Sequence, residues 1–367
     1  MKFLLRLRMN QLREYLSKLY KGKIEIQTVT QMGGKKRKSE KELKGFGYGV
    51  PYLIEFKVNG EPKKVVLETL HPEGFGHDHF SDRAGILLWQ HEAFNLLPKH
   101  VRSVDVGAFT KNEGLKSVGD CREFFILTEL VKGDLYHRDL DRIRMERKLR
   151  QLDRERCLAL SDYLVEIHAV KREAAGLYVR RVRELIGHGE CVFGLVDSYP
   201  AGPQYITERE LCEIEKKCVD WRWRLKPKTH RLSQVHGDFH PWNILFRRGA
   251  DFTVLDRSRG VWGEPADDVT ALSINYLFYS LQTFGVLAGP FDMLFRLFWE
   301  NYLRKTGDKE ILEVVQPFYA WRGLVVASPV WYPNLSLEVR RKLFNFIRNV
   351  LDAERFDVWN VNPYLKD

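Results

Sequence analysis

Residues 235–246, "VHGDFHPWNILF", set two histidines, an aspartate and an asparagine among apolar residues and run into what reads as a buried strand. Asp238 and Asn243 share this one short loop. After the turn "RRGAD" a second apolar run, "FTVL", delivers Asp256 at its end. Two adjacent strands joined by a tight turn set the loop before the first beside the residue after the second, so Asp238, Asn243 and Asp256 are expected to converge. A carboxylate and an amide oxygen are hard ligands of the kind Mg²⁺ takes, the rest of its shell coming from water and phosphate. The remaining carboxylate, Asp238, is placed to accept a proton from an attacking hydroxyl. The competing reading is that all three are loop residues capping turns, where Asp and Asn are common.

Outward from the loop the periodicity is helical. Arg138 to Val170 is charged and helical, with "LALSDYLVEIHAV" (158–170) as its apolar-periodic part, and Thr207 to Lys226 gives another helix. "YHRDLDRIR" (136–144) contains His-Arg-Asp-Leu, yet Arg144 stands where an asparagine is needed and no strand pair follows, so it reads as helix surface. "DWRWRL" (220–225) reads as amphipathic packing. Helices follow Asp256 to the end of the chain.

Toward the N-terminus the period shortens to two. "KIEIQTVTQMGG" (23–34) alternates like a strand, and "GFGYGVPYLIEFKVNGEPKKVVLETL" (45–70) reads as two antiparallel strands turning at Asn59-Gly60. Asp82 to Leu97 has helical spacing, and "VRSVDVGAF" (101–109) and "REFFILTEL" (122–130) read as two more strands. "FLLRLRMNQLREYLSKLY" (3–20) is an amphipathic helix. The composition shifts between Val131 and Asp134, giving an N-terminal helix over 1–25, a β-rich lobe over 26–132 and an α-rich lobe over 133–367.

The spacing His236, Asp238, Asn243, with Asp256 after a strand and Gly263, Pro265 and Asp268 beyond it, resembles the signature of the aminoglycoside phosphotransferase family, to which choline kinases are similar. The resemblance implies an α+β, two-lobed protein-kinase-like fold, with a small β-rich N-lobe and a larger, mainly α-helical C-lobe. It implies transfer of the γ-phosphate of ATP to a hydroxyl of a small molecule, with Mg²⁺ as cofactor. Asp238 is then the catalytic base, and Asn243 and Asp256 hold the metal. His236 buttresses the loop and Asp268 bonds its backbone. Main-chain groups near Glu129 and Val131, in the hinge-like "FILTELVKG", meet the adenine, and Gly45, Gly47 and Gly49 let backbone amides approach the phosphates. Glu92 lies on the helix that carries an ion-pairing glutamate in that family. The insert from Asp134 to Lys226 shapes the acceptor pocket.

One position departs from the family. Where a lysine or arginine is expected on the third strand, "VVLETL" (65–70) presents Glu68, which repels a polyphosphate. Lys63 or Lys64 is nearer the mark, or Lys35, Lys36, Arg37 and Lys38, with Lys41 and Lys44, supply the charge from the loop, or nucleotide binding is weak or lost. The loop lysines are the favoured explanation. Two alternatives to a small-molecule kinase stand: a non-catalytic nucleotide- or partner-binding module, and a kinase for a lipid-linked or protein acceptor.

The composition limits other functions. Across 367 residues 59 basic residues are offset by 49 acidic ones, for a formal net charge of +10. The excess sits in residues 2–22, 35–38 and 138–156, read as solvated faces or as a surface for an anionic partner or membrane, with no nucleic-acid-binding motif and no specific nucleic-acid binding expected. Five cysteines without a CxxC pair argue against a zinc site or disulfide framework. No stretch has a membrane span's length of apolar residues and the N-terminus is no secretory signal, so a cytoplasmic protein is expected.

Overall fold

The structure, a computed structural model, describes residues 9–32, 49–72 and 76–367. The chain divides into two compact units, Met1–Thr128 and Glu129–Asp367.

In the first unit helix α1 (Met9–Tyr20) is followed by strands β1 (Ile24–Gln31), β2 (Gly49–Val58) and β3 (Glu61–Leu70), which form an antiparallel sheet in the order β1-β2-β3. Alternation makes one face: Ile54, Phe56 and Val58 on β2 are buried, and Leu12 and Leu16, one helical turn apart on α1, close over them. Each such side chain contributes about 1.5–3 kcal/mol when fully buried. Val65 and Leu67 of β3 pack against this cluster. The intervening residues Val66 and Glu68 are exposed, Glu68 opposite Pro51 in the register. The turn is the expected one: Asn59 and Gly60 both have positive φ, 50° and 91°, as the twist of a two-residue hairpin demands. Gly60→Ala is expected to cost the sheet about 1–2 kcal/mol, measured by denaturant unfolding, because a Cβ disfavours that backbone region.

The unit ends with α2 (Phe80–Phe94) and the short pair β4 (Gly107–Phe109) and β5 (Leu115–Ser117). Here the structure departs from expectation. Only the last three residues of 101–109 are strand, and 122–130 contains none, with Phe125, Ile126 and Leu127 each more than four-fifths exposed. An apolar run supplies β-propensity, but a strand exists through its ladder, and no described strand pairs with 122–130.

The second unit runs β6 (Asp134–Leu135), α3 (Tyr136–Glu146), α4 (Gln151–Ala169), α5 (Ala175–Gly187), α6 (Val192–Asp197), α7 (Glu208–Leu225), β7 (Ser233–Gln234), β8 (Ile244–Phe246), β9 (Phe252–Val254), β10 (Trp262–Gly263), α8 (Pro265–Phe284), α9 (Gly289–Thr306), α10 (Gln316–Ala327) and α11 (Leu337–Asp352). The small sheets are β6-β8-β9 and β10-β7. The expected α+β class, a small antiparallel sheet unit followed by a larger helical one, is what the chain has. Helix α8 is buried from Pro265 to Leu281, as a central helix must be, and its buried Thr270, Ser273 and Asn275 side chains hydrogen-bond back to the carbonyls of its own preceding turn. It packs on α9, α10 and α3. Helix α7 starts where Thr207 and Glu210 exchange hydrogen bonds in a capping box, and its apolar stripe Leu211, Ile214, Cys218, Trp221 and Leu225 faces inward. Trp221 of "DWRWRL" is therefore core, while Trp223 is exposed between Arg222 and Lys226.

The arginine-rich stretch is largely self-compensated. Arg138 pairs with Asp134, Arg142 with Asp153 and Glu146, Arg144 with Asp141, Arg150 with Glu146 and Arg156 with Asp139. Among the described residues the five cysteines carry free thiols, and no helix is long and apolar enough to cross a membrane.

Candidate functional site

The β8–β9 hairpin builds the site. Ile244 lies opposite Val254, and the Leu255 N–H donates to the Asn243 carbonyl at 2.8 Å, so Asp256 follows directly on the residue bonded to Asn243. Asp256 has φ of 51°, a left-handed conformation that ends the strand, and its exposed carboxylate has no hydrogen-bond or ion-pair partner among the described residues.

The loop before β8 is held from beneath by Asp268 in the first turn of α8. Its Oδ2 accepts the His236 N–H and its Oδ1 the Gly237 N–H, both at 2.7 Å. His168 Nε2 lies 3.1 Å from the same Oδ2, and His168 Nδ1 lies 2.8 Å from the Tyr302 hydroxyl. Burial opposes ionisation of Asp268, but these bonds and the neighbouring histidines hold its carboxyl below the usual range. Gly237, at φ 86°, is required, because a Cβ there meets Arg259 Cβ at 3.2 Å. Asp268→Asn leaves one oxygen to accept two buried N–H groups, so a loss of about 1–3 kcal/mol is expected in chemical denaturation. His236 is buried, and its Nδ1 accepts the Asp238 N–H at 3.2 Å, the buttress expected of it.

Asp238 is gripped on both oxygens. Arg322 Nη1 donates to Oδ1 at 2.7 Å, while Asn243 Nδ2 and His240 Nε2 approach Oδ2 at 3.2 and 3.3 Å. His240 Nδ1 accepts the Trp242 N–H, which leaves the proton on Nε2 for Asp238. Burial raises the Asp238 carboxyl, but His240 and Arg322 outweigh it and hold the group far below the usual carboxylate range. Arg322 Nη2 also donates to the Gly237 carbonyl at 3.0 Å and to Asp267 Oδ1 at 2.6 Å. Burial drives the Asp267 carboxyl upward against the pull of Arg322.

The residues present suit a hard divalent cation. Asn243 commits its Nδ2 to Asp238, which leaves Oδ1 with no donor among the described residues, and the Asp256 carboxylate is equally unclaimed. Two oxygen donors are too few for a cage made by protein alone, and the donor set fits only an ion that draws the rest of its shell from water or phosphate, as Mg²⁺ does. Among the described residues no group of three His, Cys, Asp or Glu could hold a metal.

The structure thus brings Asp238 and Asn243 into direct contact and ties Asp256 to them through the hairpin backbone. Gly45, Gly47 and the basic run Lys35, Lys36, Arg37, Lys38, with Lys41 and Lys44, lie outside the described residues. Gly49 begins β2 opposite Leu70. Glu129 is exposed and Val131 half-buried, both in irregular chain at the start of the second unit. Glu92 on α2 is exposed, without an ion pair among the described residues. Sequence reading missed Arg322, Asp267 and the contact of His240 with Asp238. The available signal for the first was one arginine inside "QPFYAWRGLVVA" (316–327), an otherwise apolar helix.

Residues 117–289 match the model of the phosphotransferase enzyme family, in agreement with the resemblance in the sequence. No curated protein matches the chain by sequence. Among solved structures, an ethanolamine kinase from Plasmodium vivax is 15% identical, with 86% of this chain and 78% of that one covered and a TM-score of 0.34. A choline kinase from Streptococcus pneumoniae is 13% identical over 93% of this chain and 97% of that one, TM-score 0.34. An amicoumacin kinase, in complex with AMP-PNP and Ca²⁺, is 13% identical over 96% of each chain, TM-score 0.40.

Proposed function

We propose, from the phosphotransferase-family match over residues 117–289, that this protein moves the γ-phosphate of ATP to a hydroxyl of a small molecule, with Asp238 as the group that receives the acceptor's proton. The observation that carries the reading is the Asp238–Asn243 contact on a loop clamped by Asp268, with Asn243 Oδ1 and Asp256 left for a cation. Arg322 fixes Oδ1 at 2.7 Å, whereas the partners of Oδ2 stand at the long end of the hydrogen-bond range, so Oδ2 is the oxygen that turns to an acceptor hydroxyl. The hydroxyl oxygen bonds to the γ-phosphorus, the bond from that phosphorus to the β–γ bridging oxygen breaks, ADP leaves, and the hydroxyl proton passes to Asp238. A carboxylate held so acidic is a weak base. It serves by orienting the hydroxyl until late in the transfer, which suits a loose transition state in which the nucleophile's proton moves late. Asn243 and Asp256 would hold magnesium, which would neutralise the polyphosphate charge when bound.

A small-molecule acceptor is preferred to a protein because no Ala-Pro-Glu element follows Asp256 and the chain from there to α8 is short. The test is a screen of a metabolite pool with ATP and Mg²⁺, comparing the protein with Asp238→Asn. A phosphorylated compound made only by the wild type supports the reading; equal products from both remove it.

Glu68 favours a second reading, a nucleotide-binding module without catalysis, since this exposed carboxylate stands where a phosphate-holding cation is expected. Alanine at Lys35, Lys36, Arg37 and Lys38 together is expected to raise the ATP dissociation constant if the loop supplies that charge. An unchanged constant refutes the substitution.

A further inference from the structure

The carboxylate assigned to the metal owes its position to bonds made by its chain neighbours. Asp256 is exposed, sits at φ 51° and has no hydrogen-bond or ion-pair partner of its own among the described residues. A left-handed backbone is unfavourable for a residue with a Cβ, though less so for Asp and Asn than for most, and it persists where flanking contacts over-determine it. Such a contact stands on each side. Before Asp256, the Leu255 N–H donates to the Asn243 carbonyl at 2.8 Å. After it, the Arg257 guanidinium donates twice to the Val235 carbonyl, from Nε at 3.0 Å and from Nη2 at 2.6 Å, and Nη2 also reaches the Val261 carbonyl at 3.2 Å. Val235 and Asn243 are the first and last residues of the loop between β7 and β8, so Asp256 is tied to both ends of the segment that carries Asp238.

Arg257 makes these bonds in place of a nearer one. Its sequence neighbour is a free carboxylate, yet it donates to carbonyls and to no acid. Arg259, three residues beyond Asp256, likewise turns away, toward Glu190 at 3.5 Å and over the Trp321 ring. Two cations close in sequence thus leave Asp256 unclaimed. The anchor that Arg257 has chosen is firm. Val235 is fully buried and gives its own N–H to the Val261 carbonyl at 3.0 Å, and β10 pairs with β7 immediately beside this bond. The next two residues of the loop, His236 and Gly237, are the ones clamped by Asp268. A guanidinium gives charge-assisted hydrogen bonds, about twice as strong as neutral ones, and its fork fixes direction as well as distance.

We propose that Arg257 is a positioning residue of the metal site: by bonding the Val235 carbonyl it holds the left-handed turn that presents the Asp256 carboxylate to a cation. This rests on the phosphotransferase reading for the identity of that cation as the magnesium of Mg²⁺-ATP. Groups that orient a metal ligand matter to the metal, and loss of one typically costs about 10–100-fold in metal affinity. Charge predicts the reverse. A guanidinium one residue from a metal ligand repels Mg²⁺, so an Arg257 that acted through its charge alone would weaken metal binding, and its removal would tighten it. The sign of the effect separates the two.

The experiment is calorimetric titration of ATP into the full chain in EDTA and at a series of Mg²⁺ concentrations, for the wild type, Asp256→Ala, Arg257→Met and Arg257→Lys, with circular dichroism and urea unfolding to verify folding. Arg257→Met is expected to raise by about tenfold or more the Mg²⁺ concentration that gives half the gain in ATP affinity, with the affinity in EDTA unchanged. Arg257→Lys, which keeps the charge but not the fork, is expected to fall between Arg257→Met and the wild type. A role in stability alone would lower the urea midpoint and leave the Mg²⁺ requirement in place. An unchanged or lowered requirement in Arg257→Met, or a matching loss of affinity in EDTA, overturns the proposal, and the kinase reading survives if Asp256→Ala still raises the requirement. If Arg257→Met does not fold, Arg257→Lys decides: a raised requirement supports positioning, and a wild-type one refutes it. ATP affinity that is independent of Mg²⁺ in the wild type, or unaltered in Asp256→Ala, removes the phosphotransferase reading and this proposal with it.

Discussion

Arg322→Met is expected to remove about 3–5 kcal/mol from the stability of the helical unit at neutral pH, because it strands the buried Asp267 and the half-buried Asp238, which share this one arginine. The side chain also braces the Gly237 carbonyl, so the loop loses its register with α10 as well. The loss should depend on pH with a definite sign. In the wild type the Asp238 carboxyl is depressed, so its contribution is present above the unfolded value and fades as pH falls through the folded one. In the variant Asp238 and Asp267 both lose the opposing charge and titrate upward. The difference between the two proteins should be largest at about pH 7 and shrink below about pH 5, where both carboxyls take up protons. Urea unfolding followed by fluorescence of the buried Trp299 and Trp321 measures it. A difference that does not change with pH would mean that the destabilisation comes from lost packing alone. The double variant Arg322→Met, Asp267→Leu should recover part of the loss, since replacing a buried pair by apolar groups is far cheaper than breaking it.

Asp238→Asn is expected to lower phosphoryl transfer by about 10²–10⁴-fold, the range a positioned acid–base group supplies. Asparagine keeps an oxygen for Arg322 and a similar shape, so the loop clamped by Asp268 should survive and ATP affinity should change little. The loss then falls on kcat, as for a group whose interaction is made in the transition state. Because the Asp238 carboxyl lies far below the usual range, the wild-type rate should show no acid limb from this residue in the neutral region, whereas Arg322→Gln should move such a limb upward into view. A wild-type limb near neutrality that disappears in Asp238→Asn would contradict the tight grip of Arg322.

The loop was legible because its chemistry is local. Six consecutive residues carry His236 to Pro241, Asn243 and the β8–β9 hairpin follow at once, and a hairpin of that length leaves little choice of where Asp256 goes. The Asn59-Gly60 turn was legible for the same reason: its cause lies within four residues. Arg322 was not. It reaches Asp238 across 84 positions, and no periodicity of α10 tells which buried loop its one charge will meet. The run 122–130 failed in the opposite direction, since its apolar character predicts a strand while pairing requires a neighbour that the local sequence does not name.

Equilibrium titration of Mg²⁺-ATP against the wild type, Asp256→Ala and Asp238→Asn tests the central claim most directly. Saturable binding by the wild type, weakening of about tenfold or more in Asp256→Ala, and near-normal binding without turnover in Asp238→Asn are the predicted results. Absence of binding by the wild type, or an Asp256→Ala curve that overlays it at every magnesium concentration, would contradict the assignment of this hairpin as the phosphoryl-transfer site.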